Sequence, residues 1–450
     1  MTGLRIIGAD VKRTALQDPL EICRNLPPHA FPALLTGKGP ADSARFSVLG
    51  SFPYAVIRYD KGDFSLFSGG KPQVFRKPFF EGFKDLLNAV NFQDYPFPMN
   101  KIGLMGLLSF ELYGESEQIA KQNASLYSFP EAEFVLYRHY DFWDHQKNNQ
   151  YSLDVDYEGE GIASKLWPES EEKVFFPPEI QETQNAYEDK IRRIIEYIRA
   201  GDVYEVNLTR PFIFPFQGDS FSLFEALYKN NPAPYSAYMD FGRFRIVCNS
   251  PELFLKGNGS SIETRPIKGT VPTSPDERED RKNRDYLLGS AKEEAELFMI
   301  IDLLRNDLAR VSRPGSVQVV HKKRLEKYQN VYHLVGVIRS LLQKKADYAD
   351  LFRAAFPGGS ITGCPKIRSI EIINELEDTQ RHLYTGSVLM MNKEYLTSNI
   401  AIRTAVIRDG FIYFNAGGAV TVDSDPRREY EEVLAKVSNF LEYFHDDDLS

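Results

Sequence analysis

The segment Gly358-Gly359-Ser360-Ile361-Thr362-Gly363-Cys364-Pro365-Lys366 is a glycine-rich loop that runs into an apolar helical pattern. Such a loop exposes backbone N–H groups at the positive end of a helix dipole, which favours an anionic ligand. It differs from the Walker A phosphate loop, because Cys364 and Pro365 stand between the last glycine and the lysine. A plain glycine-rich turn before a capped helix is the alternative interpretation.

The sequence around this loop mixes helical and strand patterns without regular alternation. Helices are predicted over 187–200, 291–311 and 364–376, and a last one starts at Asp425, with Pro426 at its first helical position. Apolar runs punctuated by glycine and proline predict strands within 46–59, 102–114, 132–144, 236–241, 243–249 and 252–257. This arrangement predicts an α+β protein with large antiparallel sheets.

A polar, irregular stretch interrupts the chain before the first of these helices. It contains KNNQ, DYEGEG and WPESEEK, which fit neither helical nor strand periodicity. We therefore expect an N-terminal domain over 1–145, a linker over 146–186 and a second domain over 187–445.

Composition limits the classes of function. The 450 residues include 63 acidic and 54 basic side chains, a net charge of −9, whereas nucleic-acid binders usually carry a basic stripe. No run approaches the roughly 18 apolar residues of a membrane span, and the first residues lack the apolar core of a signal peptide. Three scattered cysteines, Cys23, Cys248 and Cys364, predict neither a disulfide framework nor a zinc site. We expect a reducing, cytoplasmic setting.

Three further features could carry chemistry. Lys268, in RPIKGTVP, could be an amine nucleophile if a partly dry pocket lowers its pKa, although a solvated turn lysine is commoner. Glu296 and Glu432, on two predicted helices, could bind Mg²⁺, although such carboxylates usually just lie on a solvent-exposed helix face. His333, at the head of an apolar run interpreted as a helix, is more often a core residue than a catalyst. No HExxH or GxSxG motif supports zinc or serine hydrolase chemistry.

Together these segments resemble the chorismate-utilising enzymes, which include component I of anthranilate synthase and of aminodeoxychorismate synthase, and more distantly isochorismate and salicylate synthases. The resemblance covers the chain from about Tyr187 onward. It is carried, in the family's order, by GDVYEVNLTRPF, NSPELFL, RPIKGTVP, AELFMIIDLLRNDLARV, VYHLV, FRAAFPGGSITGCPKIRSIEII, YTGSV, IAIRTAV and NAGGAVTVDSDPRREYEEVLAKV. It implies large antiparallel sheets packed as a sandwich, with helices outside.

The resemblance also implies a reaction. Lys268 favours the branch similar to aminodeoxychorismate synthase, because the anthranilate enzymes usually have alanine there. Such an enzyme converts chorismate and ammonia to 4-amino-4-deoxychorismate for 4-aminobenzoate and folate synthesis. Its lysine is thought to attack C2 as the C4 hydroxyl leaves, before ammonia enters at C4. Anthranilate synthesis and a non-catalytic chorismate-binding paralogue remain the alternatives.

The other roles that the resemblance implies are assigned position by position. Glu252 would donate a proton to the departing oxygen, and His333 would lie near the ring. Glu296 and Glu432 would hold Mg²⁺. The expected substrate contacts are Gly269, Thr270, Thr362, Gly363, Tyr384, Arg403, Gly417, Gly418 and Lys436.

Two positions depart from the family pattern. Ala419 stands where a third glycine is common, and Glu205 stands where the aminating enzymes commonly have glutamine. Isochorismate-type enzymes have a water-activating lysine at the latter position, so its absence argues against hydroxylation at C2.

The resemblance extends to two accessory expectations. One is an ammonia-supplying glutamine amidotransferase subunit in a heterodimer, because this sequence shows no cysteine in a nucleophile elbow. The other is a candidate tryptophan site in the N-terminal half, for which sheet-edge packing is the alternative. Its residues would be Thr36, Ser43, Ala44, Arg45, Phe46, Pro234, Tyr235 and Ser236.

Overall fold

The computed structural model describes residues 4–40, 42–92, 94–117, 119–120, 123–162 and 182–442. Much of the predicted linker (163–181) and the last residues of the predicted second domain (443–445) lie outside the described residues.

Capping residues mark the ends of several helices. Thr183 caps α4 and Gly201 ends it with φ 85°, while Ser290 caps α7 through the N–H group of Glu293. The helices are α1 Pro19–Arg24, α2 Phe79–Ala89, α3 Tyr113–Ser116, α4 Gln184–Ala200, α5 Ser220–Asn230, α6 Glu277–Gly289, α7 Ala291–Ala309, α8 Tyr348–Ala355, α9 Lys366–Leu376 and α10 Pro426–Leu441.

The strands pair with one another only in antiparallel ladders. They are β1 Ile6–Thr14, β2 Ala33–Thr36, β3 Phe46–Asp60, β4 Asp63–Phe67, β5 Gln73–Arg76, β6 Leu104–Leu108, β7 Ala132–Asp144, β8 Asn149–Tyr157, β9 Glu205–Pro215, β10 Tyr235–Asp240, β11 Arg245–Ser250, β12 Leu253–Asn258, β13 Ser261–Arg265, β14 Ile267–Pro272, β15 Gln318–Lys327, β16 Val331–Leu341, β17 Gly363–Cys364, β18 Ser387–Met391, β19 Tyr395–Asn399, β20 Thr404–Arg408 and β21 Phe411–Val420. The predicted α+β class with large antiparallel sheets is confirmed.

Two branches of sheet leave opposite edges of the long β3–β7 pair. The first branch runs from β3 through β2, β10, β11, β20, β21 and β9 to β17. The second runs from β7 through β6, β18, β19, β12 and β13 to β16, which also pairs with β14 and β15. Buried side chains from both branches form one continuous apolar core.

Strands from either side of the predicted linker pair directly with each other. In the first branch β2 pairs with β10, and in the second β6 pairs with β18. Strand β8 lies inside the predicted linker and pairs with β1 and β7, so the expectation of an irregular stretch was wrong there. The division into two domains stays a prediction, and one hydrogen-bonded sheet network extends across it.

Two predicted helices differ from the structure. The run that contains His333 is strand β16, and the helical interpretation was wrong because nearly every residue of this strand is buried, which removes the alternation typical of strands. Helix α9 begins at Lys366 rather than Cys364, because Cys364 pairs with β9 and Pro365 is the N-cap.

No helix within the described residues has the length and apolar character to cross a bilayer.

Candidate active site

The ends of the two branches meet at an ion pair. Lys268 on β14 donates a 2.7 Å hydrogen bond from Nζ to Oε1 of Glu205 on β9, and the Glu205 side chain is fully buried. Burial favours a lower pKa for Lys268, but the charge and hydrogen bond of Glu205 outweigh it, so the pKa is raised. The lowered pKa expected of this lysine was therefore wrong, and the reason is its carboxylate partner.

Glu252 lies where the chain passes from β11 in the first branch to β12 in the second. Its Oε1 accepts a 2.6 Å hydrogen bond from the hydroxyl of Ser360, and its backbone carbonyl accepts one from Ile400. Burial raises the pKa of Glu252 to about 7, against the opposing effects of Ser360 and the charge of Lys268. A carboxyl group with this pKa can donate a proton near neutral pH.

The glycine-rich loop packs directly against β9. Gly363 has φ 134°, and a Cβ atom there would lie 2.1 Å from the backbone oxygen of Glu205, so only glycine fits. The Thr362 hydroxyl donates to the Gly358 carbonyl at 3.1 Å, which closes the loop upon itself. The structure thus uses this hydroxyl inside the loop, and a role in ligand binding stays a prediction.

A buried arginine connects this loop to β9 by hydrogen bonds. Arg381 donates to the carbonyls of Ile361 in the loop and Asn207 on β9, at 3.0 and 2.7 Å, and it pairs with Glu377 at 2.6 Å. The loop and β9 are therefore held in one fixed relationship beside Glu205.

His333 lies beside the predicted substrate contacts Gly269 and Thr270. Its Nδ1 is 2.9 Å from the Thr270 hydroxyl and 3.4 Å from the Gly269 carbonyl, while its buried Nε2 has no hydrogen-bond partner among the described residues. Burial and the nearby charge of Arg403 lower the pKa of His333 to about 3. This ring is therefore neutral at physiological pH.

Acidic side chains from two helices border the site. Glu296 projects from α7 with its Oε1 3.9 Å from Nζ of Lys292, and Glu432 on α10 pairs with Lys436 at 2.8 Å. Glu429 joins the α10 group: a Cβ atom at Gly418 would lie 3.4, 3.8 and 3.9 Å from Glu429, Lys436 and Glu432, respectively. The Lys436 ammonium also donates to the Gly417 carbonyl at 2.7 Å.

These carboxylates fit a magnesium site completed by other ligands. Burial raises the pKa of both Glu296 and Glu429, and neighbouring carboxylates raise each pKa further. A divalent cation would favour the charged forms, and carboxylate oxygens are the protein ligands that Mg²⁺ prefers. The described residues bring no three metal-binding side chains together, so the fit is to a site with one or two carboxylates plus water and substrate oxygens.

A cavity of about 520 Å³ opens beside these groups, a size typical of small-molecule sites. Arg403, where the chain passes from β19 back to β20, has φ 50°, a left-handed conformation that is uncommon for arginine and that recurs at binding sites. The predicted substrate residues among its lining are Thr270, Tyr384, Arg403, Gly417 and Lys436.

The profile of the family described as chorismate binding enzyme matches residues 40–442. The chain belongs to the chorismate-binding enzymes. It is 37% identical over 362 residues to aminodeoxychorismate synthase component 1 of Escherichia coli K12, covering 78% of each chain. It is 33% identical over 424 residues to the protein of that name from Bacillus subtilis, covering 88% of each.

Other members of this chorismate-binding family are also similar. Anthranilate synthase component 1 of Aquifex aeolicus is 38% identical over 260 residues, which cover 58% of this chain and 53% of that one. The crystal structure of anthranilate synthase component I from Streptococcus pneumoniae matches 94% of this chain and 97% of its own with a TM-score of 0.74 and 24% identity. This structural match supports the fold.

The candidate tryptophan residues of this chorismate-binding chain do surround a common cavity, except Ala44. Thr36, Ser43, Arg45, Phe46, Pro234, Tyr235 and Ser236 all line it. Its volume is about 50 Å³, whereas a cavity of about 150 Å³ accommodates benzene. Tryptophan binding stays a prediction, and it would require this cavity to open.

Sequence reasoning missed three members of the site. Ser360, the partner of Glu252, stands in the loop that was singled out, and Glu429 shares a helical stripe with Glu432. Glu205 was noted as a departure from the chorismate-binding family but not as the partner of Lys268. The positions of Ser360 in the loop and of Glu429 in the helical stripe could have been recognised from the sequence. The contact between Glu205 and Lys268 could not, because it depends on how the two branches of the sheet meet.

Proposed function

We propose that this chorismate-binding enzyme is an aminodeoxychorismate synthase component 1, which converts chorismate and ammonia to 4-amino-4-deoxychorismate. The observation that carries the proposal is that an amine and a proton donor are buried close together: the charge of Lys268 acts on Glu252, and the Glu252 carboxyl group accepts a hydrogen bond from the backbone of Ile267, the neighbour of Lys268. The two relatives of that name match most of their own length, which supports the same reaction here.

The proposed chemistry uses Lys268 as nucleophile and Glu252 as acid. The neutral amine of Lys268 forms a bond to C2 of chorismate, both ring double bonds shift by one position, and the C4–O bond breaks. The proton of Glu252 passes to the departing hydroxyl, which leaves as water. Ammonia then bonds to C4, the C2–N bond breaks and frees Lys268, and the new ammonium group returns one proton to Glu252.

The remaining residues would bind and orient the substrate. Arg403 and Lys436 supply positive charge for a dianionic ligand, and Tyr384 and Thr270 line the same cavity. Neutral His333 would hold Thr270 in position beside the ring rather than transfer protons.

Glu296 and Glu432, with Glu429 beside Glu432, would hold the Mg²⁺ that this proposal requires. When bound, the cation supplies charge neutralisation for a substrate carboxylate and orients it in the site. The remaining task of the protein's own residues would then be to hold the ring of the substrate between Lys268 and Glu252.

The ammonia would come from a glutamine amidotransferase subunit. The designation "component 1" of the relatives supports a second component, and the amidotransferase identity of that component is part of the proposal. The product would serve 4-aminobenzoate and folate synthesis in the cytoplasm.

Product analysis by mass spectrometry tests the function directly. Purified protein with chorismate, Mg²⁺ and an ammonium salt should form 4-amino-4-deoxychorismate, and Lys268→Ala should abolish or divert this product. Lys190→Ala is a matched control. Lys190 lies on α4, far in sequence from Lys268 and Glu252, and forms ion pairs with Glu182 and Asp378. Anthranilate as the main product would instead support the alternative that the similarity to the Aquifex aeolicus enzyme raises. No turnover would leave only the binding paralogue.

A further inference from the structure

We infer that Glu205 is the proton acceptor that converts Lys268 from an ammonium ion to the free amine nucleophile. The inference rests on the proposed function, because the amine is needed only if Lys268 attacks the substrate. It assigns a catalytic role to the position at which this chain departs from the glutamine common among the aminating enzymes.

The geometry supports direct proton transfer. The Lys268 nitrogen and Glu205 Oε1 are 2.7 Å apart, which is within the range of a charge-assisted hydrogen bond. Glu205 is fully buried, and its second oxygen, Oε2, has no hydrogen-bond partner among the described residues. The other contact of Oε1 is a long one, from the Asn207 amide at 3.4 Å. Within the described parts of the chain, Glu205 therefore has no competing strong donor.

The two other carboxylates that act on Lys268 are less suitable acceptors. Glu252 is hydrogen-bonded to Ser360, and the proposed reaction requires it in the protonated form. Glu296 acts on Lys268 only through longer-range electrostatics and lies near Lys292 at the metal edge of the site. Among the carboxylates of the described residues that act on this lysine, only Glu205 is both hydrogen-bonded to it and free to take its proton.

Burial makes the transfer energetically accessible. An ammonium–carboxylate pair in a low-dielectric site has lost most of its hydration, so its neutral form is closer in free energy than it would be in water. The proton moves from Nζ to Oε1, the amine attacks C2, and the protonated Glu205 keeps its hydrogen until the C2–N bond breaks. Lys268 then recovers the proton from Glu205, and the pair returns to its starting state.

This mechanism has a distinctive pH signature. Proton transfer from Lys268 to Glu205 leaves the number of protons on the pair unchanged. The attack on C2 therefore does not require loss of a proton to solvent. In Glu205→Gln the amide cannot accept the proton, and Lys268 must release it to water before each attack. Loss of the Glu252 proton above about pH 7 lowers the rates of both proteins alike. The ratio of the Glu205→Gln rate to the wild-type rate should therefore rise tenfold per pH unit below the lysine pKa.

The test is single-turnover formation of the Lys268 adduct with chorismate and Mg²⁺, without ammonia, followed by intact-protein mass spectrometry between pH 5.5 and 9. Relative to wild type, Glu205→Gln should be slowed about 100-fold at pH 6, within the usual range for a positioned proton acceptor, and this difference should shrink as the pH rises. Glu205→Asp keeps a carboxylate and should retain the wild-type shape of the profile. Glu196→Gln, an exposed glutamate on α4, is the control.

The possible outcomes separate the inference from the function. If wild type forms the product but Glu205→Gln keeps the wild-type profile, whether fast or uniformly slow, Glu205 is a structural partner only and the inference fails. If wild type forms neither adduct nor product, the proposed function fails and the inference with it. Equal thermal unfolding midpoints for the variants would show that a changed profile does not arise from misfolding.

Discussion

Ser360 donates a 2.6 Å hydrogen bond to Glu252, although the two residues stand 108 positions apart in the chain. The hydroxyl comes from the glycine-rich loop, and the carboxyl group lies where the chain crosses between the two branches of the sheet. The loop that was predicted to bind an anion therefore also affects the ionisation of the candidate acid, because Ser360 opposes the effect of burial on the pKa of Glu252.

Replacing Ser360 by alanine should raise the pKa of Glu252 above its value of about 7. The hydroxyl stabilises the carboxylate, so its loss favours the protonated form. The alkaline limb of kcat/KM should move to higher pH, and the rate should fall about tenfold through lost positioning of the acid. Ser360→Thr, which keeps a hydroxyl, should preserve the limb. A shift of the limb to lower pH in Ser360→Ala would contradict this role.

Wild-type activity should fall as the pH rises through about 7, because Glu252 must carry a proton to assist departure of the C4 hydroxyl. Glu252→Gln should lose about 100-fold or more in kcat and should lack this limb. Measuring kcat/KM with chorismate and ammonia over a range of pH checks both effects, with the free ammonia concentration held constant. An alkaline limb that persists in Glu252→Gln would assign it to another group.

Glu296→Gln and Glu432→Gln should each weaken the apparent affinity for Mg²⁺ by about tenfold or more, because each removes a charged ligand. A magnesium titration of activity and calorimetry of Mg²⁺ binding in the presence of chorismate should agree. The matched control is Glu431→Gln, on the exposed face of α10, where Glu431 pairs with Arg427. The assignment fails if Glu432→Gln has the same magnesium dependence as this control.

Gly363→Ala should destabilise the protein more than Gly410→Ala. Both glycines have positive φ, but a Cβ at Gly363 would meet the Glu205 carbonyl at 2.1 Å, whereas nothing lies within 4 Å at Gly410. We expect losses of about 2 kcal/mol or more at Gly363 and about 1 kcal/mol at Gly410. Thermal unfolding of both variants measures the difference, and similar midpoints would show that the loop can move away from β9.

Local sequence signals predicted much of the fold. The helix cap at Asp425 followed by Pro426 correctly marked the start of α10, and the apolar run at 132–144 coincides with β7. Both signals depend on neighbouring residues alone, as capping and turn chemistry do. The run around His333 failed for the opposite reason, because a strand buried on both faces loses its local signature.

The resemblance predicts a site in the second half, but the contacts among the predicted site residues were beyond sequence reasoning. Glu252 and Arg403 each lie where the chain passes between branches, and Lys268 meets Glu205 only because the ends of both branches come together. The expectation of a lowered lysine pKa failed there. It considered burial alone, whereas the partner carboxylate comes from a strand 63 residues away in sequence.

The pairing of β9 has a consequence for synthesis of the chain. Glu205 itself pairs with Cys364 of β17, whereas the rest of the β9 ladder is with β21, so most of this strand has no partner until residues 411–420 are present. Such long-range pairing slows folding and leaves intermediates with unpaired strand edges. During translation this strand remains without its main neighbour until residues 411–420 have been made. A product truncated before residue 411 would therefore lack the strand that supports β9 next to Glu205.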